Sequence, residues 1–145
     1  MAITLEEFIA KAREKEDKKI KIVVLNIQGF GEIEFQRPSE NNFLKFSNGM
    51  LSAIKDVDLN EKSTEKLKTE NIDMVDFSKA ASEFIYNSCS YMRAEEIRNI
   101  YKNSSFYDIP LCILGQSEVI NIATKLYEAF NGKKEVEEIQ EDLKN

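Results

Sequence analysis

Residues 74–85 read Met-Val-Asp-Phe-Ser-Lys-Ala-Ala-Ser-Glu-Phe-Ile, and this stretch carries the clearest helical pattern in the chain. Its apolar positions recur at i, i+3, i+4 and i+7, and they are Met74, Val75, Phe77, Ala80, Ala81, Phe84 and Ile85. That period is typical of one face of an α-helix. We therefore predict an amphipathic helix whose apolar face, including Phe84, contributes to the core.

Further helices are predicted on the C-terminal side of this stretch. A short helix is expected over residues 93–102, a second one near Pro110, and a longer one from Ser117 to Asn131-Gly132. Pro suits the first turn of a helix and Gly commonly follows the last one. The buried side of the first of these helices is predicted to carry Ile97, Ile100 and Tyr101.

On the N-terminal side the period changes from helical to alternating. Apolar residues alternate along 20–27 and again along 32–36, and Gly29-Phe30-Gly31 lies between these two runs. Glycine supplies the positive φ that a tight connection needs. We predict a β-hairpin at about residues 20–37, ended by Pro38, which has no N–H for a strand ladder.

Helices are also predicted on both sides of the hairpin. Thr4-Leu5-Glu6-Glu7 has the form of a capping box, and a narrow apolar stripe continues from it as Leu5, Phe8, Ile9 and Ala12. We expect this first helix to end near Asp17 and to be loosely attached or to bind in trans. After the hairpin, Ser39 is a good N-cap, and Gly49 is expected to interrupt the helix that it starts.

Together these elements predict an α+β fold that is mostly helical, with five to six helices and one N-terminal β-hairpin. A length of 145 residues suits a single domain, which we place at residues 1–132 with the hairpin at about 20–37. The strongly polar residues 56–71 are predicted to form a loop. Residues 133–145 follow a helix stop signal and are predicted to be an acidic C-terminal tail.

Charge and apolar content limit the kinds of partner. The formal net charge is −6 at pH 7, whereas nucleic-acid binding needs a concentrated basic face. No apolar run approaches the roughly 20 residues of a membrane helix, and no secretory signal pattern is present. We expect a cytoplasmic protein that binds neither nucleic acid nor membrane. Cys89 and Cys112 are expected to be reduced, mostly buried thiols.

Patterns of catalytic and metal-binding residues are missing from the sequence. There is no histidine, which removes the commonest general base and a usual zinc ligand. Gly29-x-Gly31 precedes a strand and not a helix, so it does not match a phosphate-binding loop. Asp56-x-Asp58-x-Asn60 lacks the glycine and glutamate of a calcium loop, because Glu61 and Leu67 stand there. We expect no enzymatic activity, no cofactor and no metal site.

Two groups of apolar side chains are candidates for binding a protein partner. Tyr91, Phe106 and Tyr107 lie around the predicted helix breaks. They are expected either to pack in the core and its rim or to anchor a partner in a groove between the last helices. Val136, Ile139 and Leu143 form a narrow stripe in the tail. The tail is either a solvated terminus or a segment that orders against a partner or a neighbouring copy, which would make a homo-oligomer.

The layout of the chain resembles that of the small tail assembly chaperones of tailed phages and prophages, including the XkdN-like group. The resemblance is carried by Thr4-Leu5-Glu6-Glu7-Phe8, by Gly31-Glu32-Ile33-Glu34-Phe35-Gln36-Arg37-Pro38-Ser39 at the end of the hairpin, and by Gly115-Gln116-Ser117-Glu118-Val119-Ile120-Asn121-Ile122 before the acidic tail. Residues 56–71 depart from this layout, since no equivalent of them can be placed in the family.

This resemblance implies a non-catalytic protein of the host cell cytoplasm that needs no nucleotide. Its partner would be the tape measure protein, whose long apolar helices it would bind and shield during tail morphogenesis. In many such phages a longer product also arises by ribosomal frameshifting. The alternative is a small acidic regulatory or immunity-type protein that binds one protein partner stoichiometrically. A gene between those of the tail tube and the tape measure protein would favour the chaperone, and one beside a toxin gene would favour the alternative.

Overall fold

The computed structural model describes residues 1–55 and 74–132 of the chain. The predicted loop at 56–71 and the predicted tail at 133–145 lie outside these residues. The described residues form α1 (Leu5–Lys18), β1 (Ile22–Ile27), β2 (Gly31–Gln36), α2 (Glu40–Lys55), α3 (Met74–Ser88), α4 (Glu95–Ile100), α5 (Ile109–Leu114) and α6 (Gln116–Phe130), with short 3-10 helices at Ser90–Arg93 and Phe106–Asp108. This confirms the predicted mostly helical α+β fold with one N-terminal hairpin.

The stretch at 74–85 forms helix α3 as predicted, and this helix lies at the centre of the fold. It packs against α2 on one side and α6 on another. The Phe84 side chain is almost completely buried, and its ring centroid lies 5.3 Å from those of Phe43 and Phe46 and 6.3 Å from that of Tyr127. Aromatic contacts of this kind add to the stabilisation from buried area. The centre of the core therefore holds a cluster of aromatic side chains from three helices.

Helix α2 is continuous through Gly49, so the interruption expected there is wrong. The reason lies in the packing of α2 on α3. A Cβ atom placed on Gly49 would lie only 2.6 Å from the Cβ atom of Ala80, a distance that real Cβ atoms essentially never show. The missing side chain lets the two helices approach closely, and this packing offsets the low helix propensity of glycine.

The hairpin has the predicted position and a regular antiparallel register, from Ile22 opposite Gln36 to Ile27 opposite Gly31. One face of it is buried and carries Val23, Leu25, Ile27 and Phe35. The φ angles of Gly29 and Gly31 are 89° and 94°, which confirms the need for glycine at the turn. The hairpin thus covers one side of the helical core, and the turn at its tip carries the exposed residue Phe30.

Arg37 joins the hairpin to both neighbouring helices. Its Nη1 atom donates hydrogen bonds to the carbonyl oxygens of Phe130 at 2.7 Å and Ile20 at 3.2 Å, and its Nη2 atom lies 3.4 Å from the carboxylate of Glu40. The guanidinium also lies 4.8 Å from the centroid of the Phe43 ring. Charge-assisted bonds from a mostly buried guanidinium are strong. They hold the base of the hairpin, the start of α2 and the end of α6 together.

Two details of the C-terminal half differ from expectation. Cys112 is exposed, although Ile109 and Pro110 in the first turn of the same short helix are buried, because the core fully covers only the start of α5. Ile100 is 68% exposed, whereas Ile97 packs against the core. Helix α4 is only six residues long and packs on the 3-10 helix Ser90–Arg93, which covers the side that carries Ile97.

Helix α1 has the predicted capping box. The backbone N–H of Glu7 donates to Thr4 Oγ1 at 3.1 Å, and the backbone N–H of Thr4 donates to Glu7 Oε1 at 3.4 Å. No residue of α1 is buried by the described part of the chain. Its apolar stripe is exposed to solvent, with Leu5 at 73% and Phe8 at 60%. The helix is therefore well capped, but the described part of the domain buries none of its residues.

Exposed ion pairs lie at the connection between α1 and the hairpin. The Glu16 carboxylate lies 2.6 Å from Lys21 Nζ and 3.1 Å from Lys19 Nζ, and Lys19 Nζ also lies 3.5 Å from Glu40. The bonds from Lys21 and Lys19 lower the pKa of Glu16 from 4.5 to about 2. Since the folded-state pKa is the lower one, this contact is fully present above about pH 4.5 and is lost as the pH falls through about 2.

We predict that amide hydrogens of α1 exchange with solvent much faster than those of α3. Against residues 1–55 and 74–132, helix α1 buries no side chain, whereas α3 contributes Ala81, Phe84 and Ile85 to the core. Amide protection follows the free energy of local opening, which is small for a helix with no buried contacts. Hydrogen exchange read by mass spectrometry at a protein concentration low enough to prevent self-association checks this. Equal protection of the two helices would show that α1 is packed.

Candidate functional site

An apolar groove lies beside the end of the hairpin that carries the turn. Its volume is about 130 Å³. The hairpin forms one wall, the 3-10 helix Ser90–Arg93 and α4 form the next, and α5 and α6 close it. The lining side chains are all apolar or aromatic: Ile27, Phe30, Ile33, Phe35, Cys89, Tyr91, Met92, Ile97, Ile113, Leu114 and Ile122.

The rim of the groove is formed by two exposed aromatic residues. Phe30 lies in the hairpin turn between two glycines of positive φ, and its backbone N–H donates to the carbonyl oxygen of Ile27 at 2.9 Å. This tight turn holds the Phe30 ring at the surface. Tyr91 lies in the 3-10 helix that follows α3 and is 67% exposed. Both rings are therefore available to a partner from outside.

Buried residues form the floor. Phe35 from β2, Met92 from the 3-10 helix and Ile122 from α6 are all buried, and Cys89 lies at the end of α3 with almost no exposure. Burial raises the pKa of the Cys89 thiol, which keeps it protonated. A protonated, buried thiol is a poor nucleophile and behaves as a small apolar side chain. The floor of the groove is therefore suited to apolar contacts with a bound group, and Cys89 is not suited to covalent chemistry.

The groove has the character of a binding site for an apolar group. None of its lining residues is an Asp, Glu, Lys or Arg. An apolar cavity of about 150 Å³ accepts benzene, so a volume of about 130 Å³ is close to that of one aromatic ring or branched aliphatic side chain. Exposed apolar patches of this kind commonly mark protein-binding surfaces. Across residues 1–55 and 74–132, no group of three or more Cys, Asp or Glu side chains is placed to hold a metal ion.

The predicted aromatic residues are divided between two places. Tyr91 lies on the rim of the groove, but Phe106 and Tyr107 do not line it. The Phe106 ring lies 4.8 Å from the guanidinium of Arg98, and the Tyr107 ring meets that of buried Tyr86 edge-on at 5.5 Å. Both rings remain about half exposed, so their part in partner binding stays a prediction. Val136, Ile139 and Leu143 lie outside the described residues.

Sequence reasoning missed most of the groove. Phe30, Ile33, Ile113 and Leu114 line it, yet we predicted none of them as partner-binding. Phe30 carried a usable signal, because an aromatic residue between two turn glycines is unusual where small polar residues dominate. The other three residues follow ordinary strand and helix patterns. Only the packing of separate elements shows that they share one surface.

Neither this site nor the fold is linked to a known protein by comparison. Within the two described ranges, no helix is long and apolar enough to cross a bilayer. Comparison of the chain with protein-family models, with curated proteins and with solved structures gives no match.

Proposed function

We propose that this chain is a non-catalytic protein-binding protein whose apolar groove takes the apolar face of a helix from another protein. The observation that carries this is the groove itself, a ring-sized apolar depression with exposed Phe30 and Tyr91 at its rim. Amphipathic helices bind such grooves through anchors spaced at i, i+3, i+4 and i+7. Aromatic rim residues are well suited to act as hot spots for this contact.

We further propose that the partner is the tape measure protein of a tailed phage or prophage and that the chain is a tail assembly chaperone. The resemblance in layout supports this, together with the match between an apolar groove and long apolar helices that must be shielded. The net charge of −6 adds to the case, because a charged surface keeps a complex of apolar helices soluble. The phage host cell cytoplasm is the compartment in which this would take place.

The test of this function is coexpression with the tape measure protein encoded in the same gene cluster. We expect the chain to copurify with that protein and to increase its soluble fraction. A gene that lies outside any tail gene cluster, or a tape measure protein that stays insoluble in the presence of the chain, would contradict the proposal.

We predict that Tyr91→Ala weakens binding of this partner by at least about tenfold, because truncation of an aromatic hot spot commonly costs that much. Tyr91 is largely exposed, so the melting temperature should change little. The matched comparison is Tyr107→Ala, which removes a tyrosine outside the groove. Titration calorimetry with each variant distinguishes the sites. A loss for Tyr107→Ala alone would move the binding surface from the groove to the Phe106–Asp108 helix.

A further inference from the structure

We draw no further inference here: the strongest candidate, the exposed apolar stripe of α1 at Leu5, Phe8 and Ile9, carries none because nothing in residues 1–55 and 74–132 shows what covers it.

Discussion

Replacing Phe84 with alanine is expected to lower the free energy of unfolding by about 3 to 5 kcal/mol. The ring is almost fully buried and lies within 5.3 Å, centroid to centroid, of the rings of Phe43 and Phe46. Its removal would leave a cavity where α2, α3 and α6 meet, and the surrounding helices cannot close it fully. Denaturant melts monitored by circular dichroism measure the loss.

Val75→Ala is the matched control for this prediction. Val75 belongs to the same apolar pattern on α3 but is 65% exposed, so the change should stay within about 0.5 kcal/mol. A loss below about 1 kcal/mol for Phe84→Ala would show that this face of α3 turns toward solvent or a partner.

Gly49→Ala is expected to destabilise the protein by about 1 to 3 kcal/mol, although alanine is the better helix former. The new Cβ atom would lie 2.6 Å from that of Ala80, and both atoms are attached directly to helix backbones. Relief therefore requires α2 and α3 to move apart, which disturbs the packing of Phe46 against Phe77 and Phe84. Thermal and denaturant melts measure this cost.

Exchanging Gly49 and Ala80 tests whether the contact between these two positions causes the loss of stability. Gly49→Ala combined with Ala80→Gly keeps one glycine and one alanine at the crossing, so we expect the double variant to recover most of the lost stability. Residues in direct contact show such coupling in double-mutant cycles, whereas independent sites simply add. Additive losses would mean that the close approach at Gly49 is not what sets the helix spacing.

Periodicity was sufficient to predict the elements of this fold. The stretch at 74–85 became α3, and the alternation at 20–37 became the hairpin, because these patterns depend only on which residues must face the core. Local signals also worked at Thr4 and at Asn131-Gly132, where capping is decided by neighbouring residues. Each of these features depends on a few consecutive positions, and sequence shows them directly.

Features that depend on two distant segments could not be predicted in this way. Gly49 was predicted to interrupt α2 from its low helix propensity alone. Its structural role depends on Ala80, which lies on another helix and cannot be paired with Gly49 from the sequence. Val75 matched the apolar period of α3 yet faces solvent, since the packing partners cover only part of the stripe. The groove was anticipated only as a site between the last helices. In the structure the hairpin supplies one of its walls.

The groove combines residues from Ile27 to Ile122, and this has a consequence for protein synthesis. A ribosome that adds 5 to 20 residues per second needs about 5 to 20 s to make the intervening stretch of chain. Helix α1 is complete long before then and leaves the ribosome with its apolar stripe uncovered. The Arg37 bond to Phe130 forms later still. A nascent chain therefore exposes the apolar stripe of α1 for several seconds before its groove is complete, so the chain passes through a stage in which it shows apolar surface but has no site to bind a helix.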